Sequence, residues 1–349
     1  MADVIDRPCQ RVAGGPDIRL AGAHKTSGRQ PLVTGSLTDE TTPIDPGMNH
    51  VVQLQAGAAR VRLLPGAGAR ISSLQLAMPA GGTVDVLQPY PEDFFDPVRW
   101  AKGGIYPLMP YSNRIANARV RVQGEEVLLS PHPDALPHTL HGNAHLLPWI
   151  LDRHDAATAV MLLDAAPSAA WPWHYAGRLE VTLLEAALHL RITIRNAGER
   201  AMPAGIGLHP YFRHEPQALL AYQASTVWPP SSEVLAVAAR APSSEEVHQP
   251  GRPLPPGGLT RYASGWEGMA DIDLPRGARL RMQVDAELQH LVVHRPDNLA
   301  YLCLEPVSHV ADGFNLAARG VSGTGTRLLG AGESLSGEMR LLLLQGESP

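Results

Sequence analysis

From Val51 to Leu344 the chain is written in short apolar alternations, each soon broken by glycine or proline. "LHLRITIRN" is the clearest. Leu188, Leu190, Ile192 and Ile194 fall on one side of an extended chain, and His189, Arg191, Thr193 and Arg195 on the other. A period of two is the pleat of a half-buried strand. "RLRMQV" repeats it with Leu280, Met282 and Val284, and "VVQLQAGAARVRLLPGAGARISSLQL" strings short strands on glycine turns. "VRVQGEEVLL" reads as a hairpin turning at Gln123-Gly124-Glu125, and "GEMRLLLL" as a buried strand. One helical suggestion stands against these, the short "SEVLAVAARAPSSEEV" at 232–247. Many short strands in series argue for an all-β sandwich or barrel. The 33 glycines and 32 prolines of the 349 residues are scattered, which suits turns and opposes long helices.

Residues 1–47 carry Gly, Pro, Ser, Thr and Asp without apolar periodicity and are expected to form a flexible extension. The unbroken strand pattern beyond it predicts one large domain over 48–349. With 44% hydrophobic residues the chain can bury a sizeable core. Its formal charge is −5, with no basic patch for nucleic acid and no charge block for a membrane surface. No apolar run reaches the roughly 18 residues of a membrane span. "MADVIDRPCQRVAGG" has no apolar core of a secretory signal. Cys9 and Cys303 cannot make a disulfide framework, so a cytosolic setting is expected. Lysine occurs only at Lys25 and Lys102, which limits Schiff-base chemistry to two candidates.

Four stretches carry candidate chemistry. "LHGNAHLLPW" places His141 and His145 four residues apart, with His138 just upstream. Such a pair binds zinc when both rings share a helix face. Gly142 and Asn143 between them, and Pro137 and Pro148 around them, are poor helix material, and no glutamate follows His141. His138 and His145 therefore read as ordinary loop histidines, while His141 is set apart by its tight turn with Gly142. In "MPAGIGLHPYF", Gly205 and Gly207 permit close approach, and Pro210 favours an extended His209. Aromatics beside a histidine suit a sugar; a core histidine would look the same. In "YLCLEPVSH", Glu305 ends an apolar strand, as a general base or as a salt-bridge partner. In "PYSNRIANARV", Arg114 offers five donors in a rigid fork, for hydroxyls or simply for solvent. The glycine-rich "GVSGTGTRLLGAGES" lacks any nucleotide fingerprint and reads as a loop into the last strand.

Taken in order, "PLMPYSNRIANARV", "LHGNAHLLPW", "WPWHYAGRLEVTL", "MPAGIGLHPYF", "HRPDNLAYLCLEPVSH" and "LGAGESLSGEMRLLL" resemble the aldose 1-epimerase (galactose mutarotase-like) family, over most of the chain. "WPWHY" points to its bacterial sub-branch. The resemblance implies a large antiparallel β-supersandwich, two twisted sheets with a sugar cleft on a concave face. It implies His209 as general acid, Glu305 as general base, and Arg114 and His141 as sugar-binding residues. It implies interconversion of the α and β anomers of a free hexose or related sugar, with no cofactor and no metal. Ring opening takes a proton from the C1 hydroxyl and gives one to the ring oxygen, so one base and one acid suffice. In one place the pattern departs. The family commonly has an aspartate before a "GWxG" turn, and here Gly265-Trp266-Glu267-Gly268 is preceded by Thr260. That leaves room for a sugar-binding or regulatory protein with little turnover. A hexose-phosphate 1-epimerase is also open, and would need cleft cations such as Arg213 or Arg119.

Overall fold

The alternation of "LHLRITIRN" becomes the strand Ala187–Asn196, with Leu188, Leu190, Ile192 and Ile194 fully buried. Each such side chain contributes roughly 1.5–3 kcal/mol on burial. A one-residue slip would turn all four out to water. That penalty fixes the register against both neighbours, Tyr175–Leu184 and Ser334–Leu344. The last of these was expected to be buried throughout. It alternates instead, with Leu341 and Leu343 inward and Leu342 and Leu344 half-exposed, because only one face meets the core.

The computed structural model describes residues 50–93, 95–99, 101–297 and 301–344. The expected extension 1–47 and its boundary lie outside them. Among the described residues seventeen strands join into one hydrogen-bonded network, with three two-stranded ribbons beside it. The pairings between these strands are antiparallel, from Val52–Ala56 on Ala59–Leu64 to Ala278–Val284 on Ser334–Leu344. The two expected sheets are continuous for a local reason. The 16-residue strand Leu259–Leu274 pairs through its first half with His290–Arg295 and through its second half with Ala278–Val284. Between the halves, Gly265 and Gly268 have positive φ (58° and 71°), which lets the chain bend there without a Cβ clash.

The expected hairpin forms from Arg119–Val122 and Glu125–Leu128. Gln123 and Gly124 both take positive φ, as a tight two-residue turn requires. The helix suggested at 232–247 does not form; that stretch is coil with isolated bridges Val227 to Arg240 and Pro230 to Ala236. Pro229 and Pro230 stand just before it and Pro242 interrupts it. The Ser231 hydroxyl accepts the N–H groups of Glu233 and Leu235, which competes with helical bonding. The described α-helix, Gly313–Ala318, lies elsewhere and is too short to show a period in sequence. Among the described residues no helix is long and apolar enough to cross a membrane.

Candidate active site

Five adjacent strands turn one face toward a cavity of about 270 Å³. They are Ile105–Leu108, Gly207–Arg213, Tyr301–Val307, His290–Arg295 and Leu259–Leu274, hydrogen-bonded in that order. Directly opposed residues on antiparallel strands share a face, as do residues two apart on one strand. One row of opposed residues is therefore Thr260, His294, Cys303 and Tyr211. The row beside it runs Tyr262, Val292 and Glu305, and continues through His209 opposite Tyr106. His209 and Glu305, far apart in the sequence, meet in this way. His209 Nε2 lies 3.2 Å from Glu305 Oε1, and both side chains are almost wholly buried. Glu305 sits within its strand rather than at the end expected from sequence.

Two loops bring Arg114 and His141 to the rim. Arg114–Ile115 pairs with Thr139–Leu140, and each loop turns through a left-handed residue, Asn113 (φ 57°) and His141 (φ 62°). Reciprocal bonds lock the two turns together. The His141 N–H donates to the Asn113 carbonyl at 2.8 Å, and the Asn113 N–H donates to His141 Nδ1 at 3.1 Å. The Asn113 side-chain oxygen accepts the Arg114 N–H and the Tyr262 hydroxyl. From behind, His309 Nε2 accepts the Ser112 N–H, and the Asp312 N–H donates to the Arg114 carbonyl. Strained backbone held by so many bonds is characteristic of a functional site. Arg114, His141, His209 and Glu305 all line the one cavity.

Burial sets the charge state. It pushes the Glu305 carboxyl up to about 8, with Arg114 pulling the other way. It holds His209 well below the usual imidazole range, helped by the neighbouring His141 and His294. His141 is also held well below it, by burial and then by Arg114. At neutral pH the pair is thus a protonated carboxyl beside a neutral imidazole. A buried charge is expensive on both partners. Glu305 Oε2 is buried and has no hydrogen-bonding partner among the described residues, an orphan acceptor that a ligand hydroxyl would satisfy.

The ligand atoms of His141, His209 and Glu305 lie within 4.8 Å of one another, a spacing that could hold a cation. The hydrogen bonding of His141 opposes this. Its Nδ1 lone pair already accepts the Asn113 N–H. The neutral ring therefore carries its hydrogen on Nε2, which offers the cavity a donor and no lone pair. Such a donor suits a substrate oxygen.

A family model described as aldose 1-epimerase matches residues 50–342. The chain belongs to the aldose 1-epimerase family. It is 29% identical over 246 residues to the uncharacterized protein YphB of Escherichia coli K12, covering 68% of this chain and 82% of YphB. A galactose mutarotase-like protein from Clostridium acetobutylicum superposes with a TM-score of 0.73 at 18% identity, over 85% of this chain and 95% of that one. The galactose 1-epimerase of Lactobacillus acidophilus NCFM superposes with a TM-score of 0.68 at 15% identity, over 85% and 95%. These likenesses establish the galactose mutarotase-like fold, the β-supersandwich expected from the sequence.

Within this aldose 1-epimerase fold the cavity holds residues to which the sequence motifs gave no role: Lys102, Tyr106, Asp134, Val234 and His294. His294 had a signal, since "HLVVHR" alternates Val292 and His294 onto one face. Tyr106 stacks on His209 with ring centroids 4.7 Å apart. His145, read as a spare loop histidine, is fully buried and stacks on Tyr106 at 4.9 Å, so it backs the site from inside. His138 is structural as well; its Nδ1 accepts the Asn117 N–H. The arginines weighed for a phosphate point elsewhere. Arg119 pairs with Glu126, and Arg213 donates to the Leu87 carbonyl and lies near Asp85. Thr260 does face the cavity, and its hydroxyl lies 2.9 Å from His294 Nδ1.

Proposed function

We propose that the protein is a mutarotase, interconverting the α and β anomers of a free hexose or related sugar. The observation that carries this reading is the buried His209–Glu305 pair, which holds one transferable proton at neutral pH. Shifting that proton across the 3.2 Å contact gives an imidazolium and a carboxylate. Glu305 in that form takes the proton of the C1 hydroxyl, and His209 gives one to the ring oxygen as the C1–O5 bond breaks. The open-chain aldehyde then lies beside a protonated carboxyl and a neutral imidazole, the charge state that burial favours. Rotation about C1–C2 and the reverse transfers close the ring on the other face. Arg114 and the Nε2–H of His141 hold sugar oxygens during the exchange. The chemistry of these side chains suffices without a metal or cofactor.

Polarimetry of freshly dissolved α-glucose and α-galactose tests the reading. It fails if neither sugar equilibrates faster than in buffer. Saturable sugar binding without acceleration would instead identify a binding protein, the alternative that Thr260 leaves open.

The pH dependence follows from the pair. Above about pH 8 the pair loses its one proton, and with it the acid. Below the depressed His209 range it gains a second proton, and the base is lost. A plot of kcat/KM against pH is expected to be flat through neutrality, with an alkaline limb near 8 and an acid limb well under 6.5. An acid limb centred at the ordinary imidazole value would show that His209 is not held neutral.

We further propose that 48–349 is one self-sufficient domain, in a cytosolic setting. Removal of residues 1–47 is expected to leave the thermal midpoint and the mutarotation rate unchanged, as read by calorimetry and polarimetry on the shortened chain.

A further inference from the structure

We propose that His294 is a substrate-binding residue, its ring pinned through Nδ1 by Thr260 so that Nε2 is presented to a sugar hydroxyl in the cavity. The inference rests on the mutarotase reading. The strand His290–Arg295 carries Val292 opposite Glu305, and His294 is the next residue on the same face. That places the imidazole one step along the sheet from the proton-transfer pair. On the other side Thr260 is its directly opposed neighbour, and the 2.9 Å contact takes Nδ1 out of play. The ring is half-buried and lines the cavity.

The pinning decides what the ring can do. A histidine side chain has two free torsions, and one bond to a fixed strand removes most of that freedom before a ligand arrives. Burial and the nearby Arg114 and Lys102 keep the ring neutral, so it presents either a donor or an acceptor at Nε2. The Thr260 hydroxyl can donate or accept, and the Leu259 backbone also hydrogen-bonds the ring. A sugar hydroxyl can answer either a donor or an acceptor. The contact is therefore hydroxyl-specific without charge, a role that a carboxylate at position 260 could have filled only as an acceptor. Thr260 is in turn a positioning residue, acting through His294.

Calorimetric titration of the full chain with D-glucose, D-galactose and the set of monodeoxy glucoses tests this. His294→Ala is expected to weaken binding of the parent sugars about three- to tenfold. His294→Gln should recover part of the loss, because its amide can reach the same hydroxyl. Thr260→Val should lose an intermediate amount. One monodeoxy glucose should bind the unaltered protein as weakly as the parent sugar binds His294→Ala, and should lose nothing further in that variant. Thermal unfolding of His294→Gln and Thr260→Val guards against a folding artefact. Equal affinities in the unaltered protein and His294→Ala, or a deoxy penalty of the same size in both, would overturn the proposal. So would an unaltered protein that binds none of these sugars. Sugar binding with the expected cycle but no accelerated mutarotation would support His294 and sink the enzymatic reading.

Discussion

Replacing Glu305 by glutamine is expected to slow anomer exchange by about 10²–10⁴-fold, and His209→Asn by a similar factor. The double variant should be little slower than the worse single one. On the proposed mechanism the pair shares one transferable proton across its 3.2 Å contact, so losing either partner already removes the paired transfer. Progress curves of fresh α-anomers, converted to kcat/KM, measure all three. A double variant as slow as the product of the two single effects would mean that the residues work independently. A second readout has the opposite sign. The folded carboxyl binds its proton more tightly than an unfolded one, near 8 against an ordinary 4.5. It therefore costs stability progressively as pH rises from 4.5 toward 8. Glutamine never ionises and escapes that cost. Glu305→Gln is thus expected to unfold at a higher temperature than the parent at neutral pH, with the advantage vanishing below pH 4.5. Lost activity together with gained stability is the mark of a group kept for chemistry.

Much of this was readable in the sequence, for physical reasons that differ from place to place. Strands such as Ala187–Asn196 announce themselves because a buried face needs every second residue apolar. The turn at Gln123-Gly124 announces itself because few residues tolerate positive φ. The stretch 232–247 misled because alanine and leucine favour a helix locally, while the flanking prolines and the Ser231 bonds decide otherwise. In the site, His209, Glu305, Arg114 and His141 were legible through ordered motifs, and the structure brings all four to one cavity. What no motif carried was cross-strand neighbourhood. Tyr106 matters because it lies opposite His209, and His294 because it lies beside Thr260. Those pairs depend on register, which a single chain read along its length does not display. Charge state was hidden for the same reason: the depressed His209 and raised Glu305 come from burial by many strands at once.

Gly142→Ala is expected to cost about 10²-fold in kcat/KM, although the added methyl touches no reacting group. Gly142 has φ +68°, and a Cβ there would stand 2.2 Å from the Met109 carbonyl oxygen and 2.8 Å from Pro110 Cδ. That oxygen is fixed, since it accepts the N–H groups of both Asn143 and Ala144. Backbone cannot swing aside as a surface side chain would. The strain must move either the Met109-Pro110 segment or residue 141 itself, and both routes disturb the same lock. His141 is tied to Asn113 through two hydrogen bonds, and Asn113 orients the start of Arg114. The two groups proposed to hold the sugar therefore shift together. Gly124→Ala separates this from the general cost of a left-handed alanine, about 1–2 kcal/mol. Gly124 has φ +89° with open space around its would-be Cβ. It should lose some thermal stability and keep its mutarotation rate. Polarimetry and thermal unfolding on the two variants side by side decide the matter. If Gly142→Ala loses stability like Gly124→Ala yet turns over sugar normally, the close packing of the 140–143 turn is not what holds His141 in place. If activity collapses only at position 142, the precision of the sugar site resides in the backbone beneath it as much as in its side chains.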